Sequence, residues 1–387
     1  MHPSAFSSPA AISARTTPTP SALTAPGALR SRTGPGQRGP AGGALAGLPA
    51  GAPADASPGP YPGPLRRGLV PPGRYPSHPG AGHLGHPGRP RSPLPDLPEL
   101  RAAVAAATRI CPDFVPGQLL RRGVDSVVVA GTAGRLPVVV KALTRRTEAS
   151  VRRFGREVAA HRAFVRQRPP VRTPRLVAAD PERGLLVTER VPGRPLAVER
   201  QPRLCPPAAE LRAAVTACSA LNLWRPARET FPALLDYPAR IRREHGLGLL
   251  TDRDAGDLAQ LMHGLERMPR QFCHGEALPQ NVVVGPSGVT FVDWHAAGWY
   301  LPGYDLAMLW TAVPDDLMSR RRISHQVQSY GTPSRDAFLV NLLLVLTGEV
   351  RRVETDSPDE RQRVLLRRLH DDLKTARRAV RAAVGTR

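Results

Sequence analysis

Lysine is almost missing from this chain. Of 54 basic side chains in 387 residues, only Lys141 and Lys374 are lysines. Aromatic residues make up 5% of the sequence. The four cysteines, Cys111, Cys205, Cys218 and Cys273, show no C-x-x-C spacing. That argues against a disulfide framework or a structural metal, and for a reducing compartment, so a cytoplasmic protein is expected. Long apolar runs are also missing. The longest, around Phe338–Thr347, is too short to span a bilayer and reads as a buried helix, so no membrane association is expected. Acidic residues are few: 32 against the 54 bases, for a formal charge of +22. Such a balance can signal nucleic acid. Here the arginines are scattered, and no helix-turn-helix, stacking aromatics or zinc spacing accompanies them. Nucleic acid therefore stands as a rival partner, not the favoured one.

What is present is unevenly distributed. Residues 1–100 hold 22 of the 44 prolines and 16 of the 35 glycines. This stretch has no apolar periodicity and cannot bury enough surface to offset its ordering entropy, so 1–96 is expected to be disordered. It lacks the basic and apolar regions of a secretory signal, and its prolines and glycines oppose the amphipathic helix of a transit peptide. From Leu97 the pattern changes. A short helix, Leu97–Thr108, precedes strand-like runs at Gly117–Arg122, Asp125–Ala130 and Leu136–Ala142, rich in β-branched residues. Ser150–Gln167 has helical periodicity, with Phe154, Val158 and His161 on one face. Strands Arg175–Ala179 and Gly184–Arg190 complete a small β-rich lobe over 97–191. Beyond it, 192–387 reads as helical: Pro207–Leu223, Tyr237–His245, Asp252–Met268, Tyr304–Val313, Asp336–Val350 and Ser357–Val384. The only strands expected there form a hairpin over Asn281–Asp293. The fold class is α+β, a small antiparallel-sheet lobe followed by a mostly helical one.

The chemistry concentrates around that hairpin. His274-Gly275-Glu276 opens a polar loop, Asn281 follows Glu276 by five residues, and Asp293 comes at the end of the returning strand, before Trp294. A metal–nucleotide phosphotransfer site needs such a set: a carboxylate to orient an attacking hydroxyl, and an amide and second carboxylate as hard oxygen ligands for Mg2+. Lys141 ends the run Val138-Val139-Val140-Lys141. It reads either as an ordinary strand-end lysine or as an ammonium awaiting a phosphate or a glutamate. A chain that writes arginine nearly everywhere else favours a required ammonium, a compact point charge. Glu157, sixteen residues on, is either a solvated helix residue paired with Arg153 or His161, or that partner.

These motifs resemble the aminoglycoside phosphotransferase and choline kinase-like family, relatives of the protein kinases, over roughly residues 115–350. The family reads H-G-D-x-x-x-x-N, a hairpin, then D-W-x-x-A-G-x-G-x-P-x-x-D-L-A, which His274 to Asn281 and Asp293 to Ala307 follow closely. Glu276 stands where the family has aspartate, and a carboxylate displaced by ~1 Å can cost ~100-fold in rate. The resemblance implies a bilobal protein-kinase-like fold and ATP-dependent phosphoryl transfer to a hydroxyl of a small molecule, a metabolite or an antibiotic, with Mg2+. It implies Glu276 as catalytic base and Asn281 and Asp293 as metal ligands. Lys141, paired with Glu157, would hold the nontransferred phosphates. The backbone of Glu189 and Val191, in a hinge between the lobes, would read adenine. His274 and Asp305 would be structural supports. A kinase-like protein impaired by Glu276, binding nucleotide without turnover, is the first alternative.

Overall fold

The computed structural model describes residues 94–386 except 315 and 356; the expected disorder of the N-terminal segment falls almost wholly outside the described residues. Helix α1 (Pro98–Ile110) starts at a proline, which suits a first helical turn. Strands β1 (Phe114–Arg122), β2 (Ser126–Ala133) and β3 (Leu136–Leu143) follow as an antiparallel meander. Helix α2 (Glu148–Arg166) is capped by Thr147, whose side chain accepts from the Ser150 N–H. Strands β4 (Leu176–Asp180) and β5 (Leu185–Glu189) complete a five-stranded sheet ordered β1-β2-β3-β5-β4.

The alternation of side chains along a strand gives this sheet two different faces. Val127, Val129, Val138, Val140, Leu185 and Val187 pack with Leu100, Ala103 and Ala107 of α1. The intervening positions face the other way, where Leu186 packs against Phe154 and Val158 of α2. Lys141 belongs to that second set, between Val140 and Ala142 of the α1 face, so it points to the α2 side. The strand continues to Leu143, so Lys141 is an interior residue of β3 and not its end.

The second lobe opens with β6 (Arg194–Pro195), then α3 (Ala208–Leu223), α4 (Tyr237–Gly246) and α5 (Asp252–Gly264). Three short strands lead through the loop region: β7 (Gln271–Cys273), β8 (Val282–Gly285) and β9 (Gly288–Phe291), with β10 (Gly298–Tyr300) beyond them. Helices α6 (Tyr304–Ala312), α7 (Leu317–Gln328), α8 (Thr332–Val353) and α9 (Glu360–Gly385) close the lobe. The hairpin β8–β9 is the expected one. Strand β6 extends it to a three-stranded sheet, β6-β8-β9, and β7 and β10 pair in a separate two-stranded sheet; neither pairing has a β-patterned run. Helix α7 was not anticipated; its start is set by Asp316, which accepts from the N–H groups of Met318 and Ser319. Helix α5 ends at Gly264, short of the expected Met268, and α8 begins at Thr332, one turn before the expected Asp336.

The core of this lobe is built on α8, whose Phe338–Thr347 stretch is buried throughout. No helix among the described residues is long and apolar enough to cross a membrane. An aromatic chain ties α2 to the loops: the Phe164 ring lies 4.6 Å from Trp294, edge on, and Phe231 lies 4.6 Å from Phe272. The whole is the bilobal kinase-like α+β architecture expected from the sequence. A cavity of about 560 Å3 lies between the sheet and the helical lobe, lined by Lys141, Glu157, Thr188, Asn281 and Asp293 among others.

Candidate active site

The loop after β7 is held by one buried acid. Asp305, in the first turn of α6, accepts from the N–H of His274 at 2.8 Å and of Gly275 at 2.9 Å. Burial pushes its pKa up to about 6, against the pull of those hydrogen bonds. Gly275 has φ 79°, and a Cβ there would sit 2.0 Å from the Ala296 carbonyl oxygen. Only glycine fits this turn without displacement.

His274 joins the two loops. Its Nε2–H donates to the Val292 carbonyl at 3.0 Å, and its Nδ1 accepts from the Glu276 N–H at 3.2 Å. This pairing requires the neutral ring. Burial supports it, lowering the pKa to about 4. The Asn281 amide donates to the Glu276 carbonyl at 3.0 Å, so the donor side of Asn281 faces its own loop and its oxygen is left for another partner.

Asp293 lies two residues past the end of β9, in the left-handed region with φ 66°. It is the only non-glycine residue with positive φ among the described residues. Such a conformation costs on the order of 1 kcal/mol or more and persists where the surroundings enforce it. Trp294, fully buried and bonded through its indole N–H to the Phe291 carbonyl, anchors the next residue.

Lys141 reaches across the cleft to both lobes. Its Nζ is 2.7 Å from Glu157 Oε2 and 2.8 Å from Asp293 Oδ1. Burial works against its charge, but the two carboxylates outweigh it and hold the ammonium above its usual pKa. Asp293 is likewise opposed by burial, yet Lys141 and His295 keep it well below the usual carboxylate range. Three residues that the sequence singled out, 152 positions apart at the extremes, are thus in direct contact. Glu189, at the end of β5, and Val191 both line the same cavity.

Two basic side chains on Glu276, Arg200 and His295, are not singled out by the sequence motifs. Arg200 Nη1 lies 2.6 Å from Glu276 Oε1, while its Nε and Nη2 grip Glu349 of α8. His295 Nε2 lies 3.4 Å from Glu276 Oε2, and its Nδ1 lies 2.9 Å from Asp293 Oδ1. His295 could have been suspected from its place two residues after Asp293. Arg200 leaves no trace: it sits in an irregular segment 76 positions before its partner. That segment is placed by β6, which pairs with β8, and by the Leu196 N–H bonded to the Val282 carbonyl.

Solved structures similar to this chain are aminoglycoside phosphotransferases at low identity. A thermostable mutant of aminoglycoside phosphotransferase APH(4)-Ia, in ternary complex with ADP and hygromycin B, is 15% identical with a TM-score of 0.46, covering 73% of this chain and 98% of its own. ADP-bound APH(2'')-Ib is 17% identical with a TM-score of 0.47, covering 68% and 93%. No curated protein matches the sequence. The family model described as the phosphotransferase enzyme family matches residues 117–339, more than half of the chain, and the chain belongs to that family.

Proposed function

We propose that this protein transfers the γ-phosphoryl group of ATP to a hydroxyl of a small molecule. The observation that carries the reading is Lys141, held at 2.7 Å from Glu157 and 2.8 Å from Asp293 at the floor of the cleft between the lobes. A half-buried ammonium between two carboxylates is poised to exchange one of them for phosphate oxygens. Asn281 and Asp293 suit a divalent cation: each keeps an oxygen clear of the hydrogen bonds that fix it. When bound, the cation would neutralise charge on the phosphates. Lys141, steadied by Glu157, holds the nontransferred phosphates. The backbone of Glu189 and Val191 borders the cavity where the base would lie. Glu276 orients the acceptor hydroxyl and takes its proton. Asp305 and His274 keep Glu276 and Asn281 in register. In such a site most of the acceleration comes from positioning and from charges placed in advance.

A second reading is favoured by one feature, that Glu276 Oε1 is paired with the Arg200 guanidinium at 2.6 Å while Oε2 lies 3.4 Å from His295 Nε2. In that reading the protein binds nucleotide without turnover. Phosphate release measured with Mg·ATP over a panel of alcohols, sugars, amino acids and aminoglycosides separates the two. Acceptor-dependent turnover, removed by Asp293→Asn, is the expected result. Nucleotide binding with no turnover on any acceptor would favour the second reading. The Arg-rich surface carries the nucleic-acid reading, and a flat response of binding to salt would end it.

A further inference from the structure

Strand β1 ends in Arg121 and Arg122, at the edge of the five-stranded sheet. Strict alternation would put Arg121 on the face of Leu119, which packs towards α1, and Arg122 on the cleft face. The register is the reverse. Leu119 pairs with Val129 and Arg122 with Val127, both partners lying on the α1 face. Arg121 pairs with Val128, which leaves Leu120 as an extra residue between them. Two residues of β1 thus oppose one of β2. That is a β-bulge, a device that re-aims the side chains it carries. Arg122 accordingly sits on Glu99 of α1 at 2.6 Å, while Leu120, Arg121 and Val128 all line the cleft. An arginine that merely keeps an edge strand soluble has no need of a bulge that turns it there.

Once in the cleft, Arg121 is held only loosely. Its Nη1 lies 3.9 Å from Asp293 Oδ2, beyond hydrogen-bond range, and its side chain is 59% exposed. Lys141 and His295 both sit on the other oxygen, Oδ1. Arg153, also on the cleft wall, is already paired with Asp125 at 2.8 Å. The protein's own positive charge is otherwise spent. Lys141 is matched against Glu157 and Asp293, and Arg200 against Glu276 and Glu349. The turn after β1 carries one glycine, Gly123, whose N–H is used on the Ser126 carbonyl at 2.8 Å. We propose that Arg121, delivered by the bulge of β1, is a further phosphate-binding residue, gripping the nucleotide's phosphates alongside Lys141. A guanidinium fork matches phosphate oxygens in pairs, which the point charge of a lysine does not. The identity of the ligand rests on the phosphotransfer reading.

The test is calorimetric titration of the full-length protein with a non-hydrolysable ATP analogue plus Mg2+, and separately with adenosine. Arg121→Ala should weaken binding of the analogue by at least about tenfold, the scale of one charge-assisted hydrogen bond. Adenosine, which has no phosphate, should bind as before. Arg121→Lys should recover part of the loss. Arg121→Gln, polar but uncharged, takes the place of the alanine variant if that protein does not melt cooperatively. Arg122→Ala removes the same charge one position on, from the α1 face, and should bind the analogue as the wild type does. Equal affinity for the analogue in the wild type and the Arg121 variants would overturn the proposal and leave the phosphotransfer reading standing. A parallel loss for adenosine would also overturn it, by tracing the effect to the shape of β1. An equal loss in Arg122→Ala would do so by tracing it to overall charge. A wild type that does not bind the analogue removes the phosphotransfer reading and this proposal with it.

Discussion

Glu276 is where sequence and chemistry pull apart. Its backbone is fixed by His274 and by the Asn281 amide, so the extra methylene relative to an aspartate must be absorbed by the side chain. Arg200 takes it up, and Arg200 is itself locked by Glu349 and, through Glu349, by Gln201. Burial disfavours the charge on Glu349, but Arg200 outweighs it and keeps the carboxyl below its ordinary pKa. Glu276→Asp shortens the arm and frees the carboxylate from Arg200. Steady-state kinetics should show turnover unchanged or raised, whereas Glu276→Gln should lower it by ~10²–10⁴-fold, the usual worth of a general base. Loss of activity in Glu276→Asp would contradict the role of base. At this scale the motif residues were legible because their spacing is fixed by short loops. Arg200 and Glu349 were not: a charge network between an irregular segment and a distant helix has no period and no motif.

The elements explain why those side chains meet. The Val138-Val139-Val140-Lys141 run reads as a strand from its β-branched residues, and strand alternation alone sends Lys141 to the face opposite Val140. Helix α2 brings Glu157 to that face, and its Phe164 locks onto Trp294, the residue after Asp293. Strands and long helices were therefore predictable, while β6, β7 and β10 were not. Each has only two or three residues, too few to show alternation, and forms because a partner strand offers hydrogen bonds. The loop carries its own test. Gly275→Ala meets both a positive φ and the Ala296 carbonyl at 2.0 Å. Urea denaturation should show a loss of about 1–3 kcal/mol, with activity falling further than stability. Trp294→Ala should cost about 3–5 kcal/mol by emptying the contact with Phe164.

For the whole molecule, two buried histidines contribute a loss of stability in acid. His161 and His274 are both held neutral, with pKa lowered by burial to about 4 from 6.5. Between those values the unfolded chain takes up protons that the folded one refuses, so stability falls as pH drops. Asp305 acts in the opposite sense: raised from 3.8 to about 6, it is protonated first in the folded state and gains as pH drops. His295, whose pKa is raised because Asp293 outweighs its burial, has its contribution already present at pH 6 and adds no slope below. The two histidines together outweigh Asp305, so their balance is a loss of stability as pH falls from 6 to 4.5. Urea melts at pH 6 and 4.5 should show it. His161 Nδ1 is buried without a partner. His161→Leu removes the group that resists protonation and should reduce the acid loss.

Lys141 and Asp293 are proposed to form a nucleotide site across the cleft. Calorimetric titration of the intact protein with a non-hydrolysable ATP analogue and a divalent ion tests it most directly. The wild type should bind, and Lys141→Met and Asp293→Asn should each weaken binding by at least about tenfold, or ~1.4 kcal/mol, while melting cooperatively. A wild type that binds no nucleotide, or variants that bind as it does, would contradict the account.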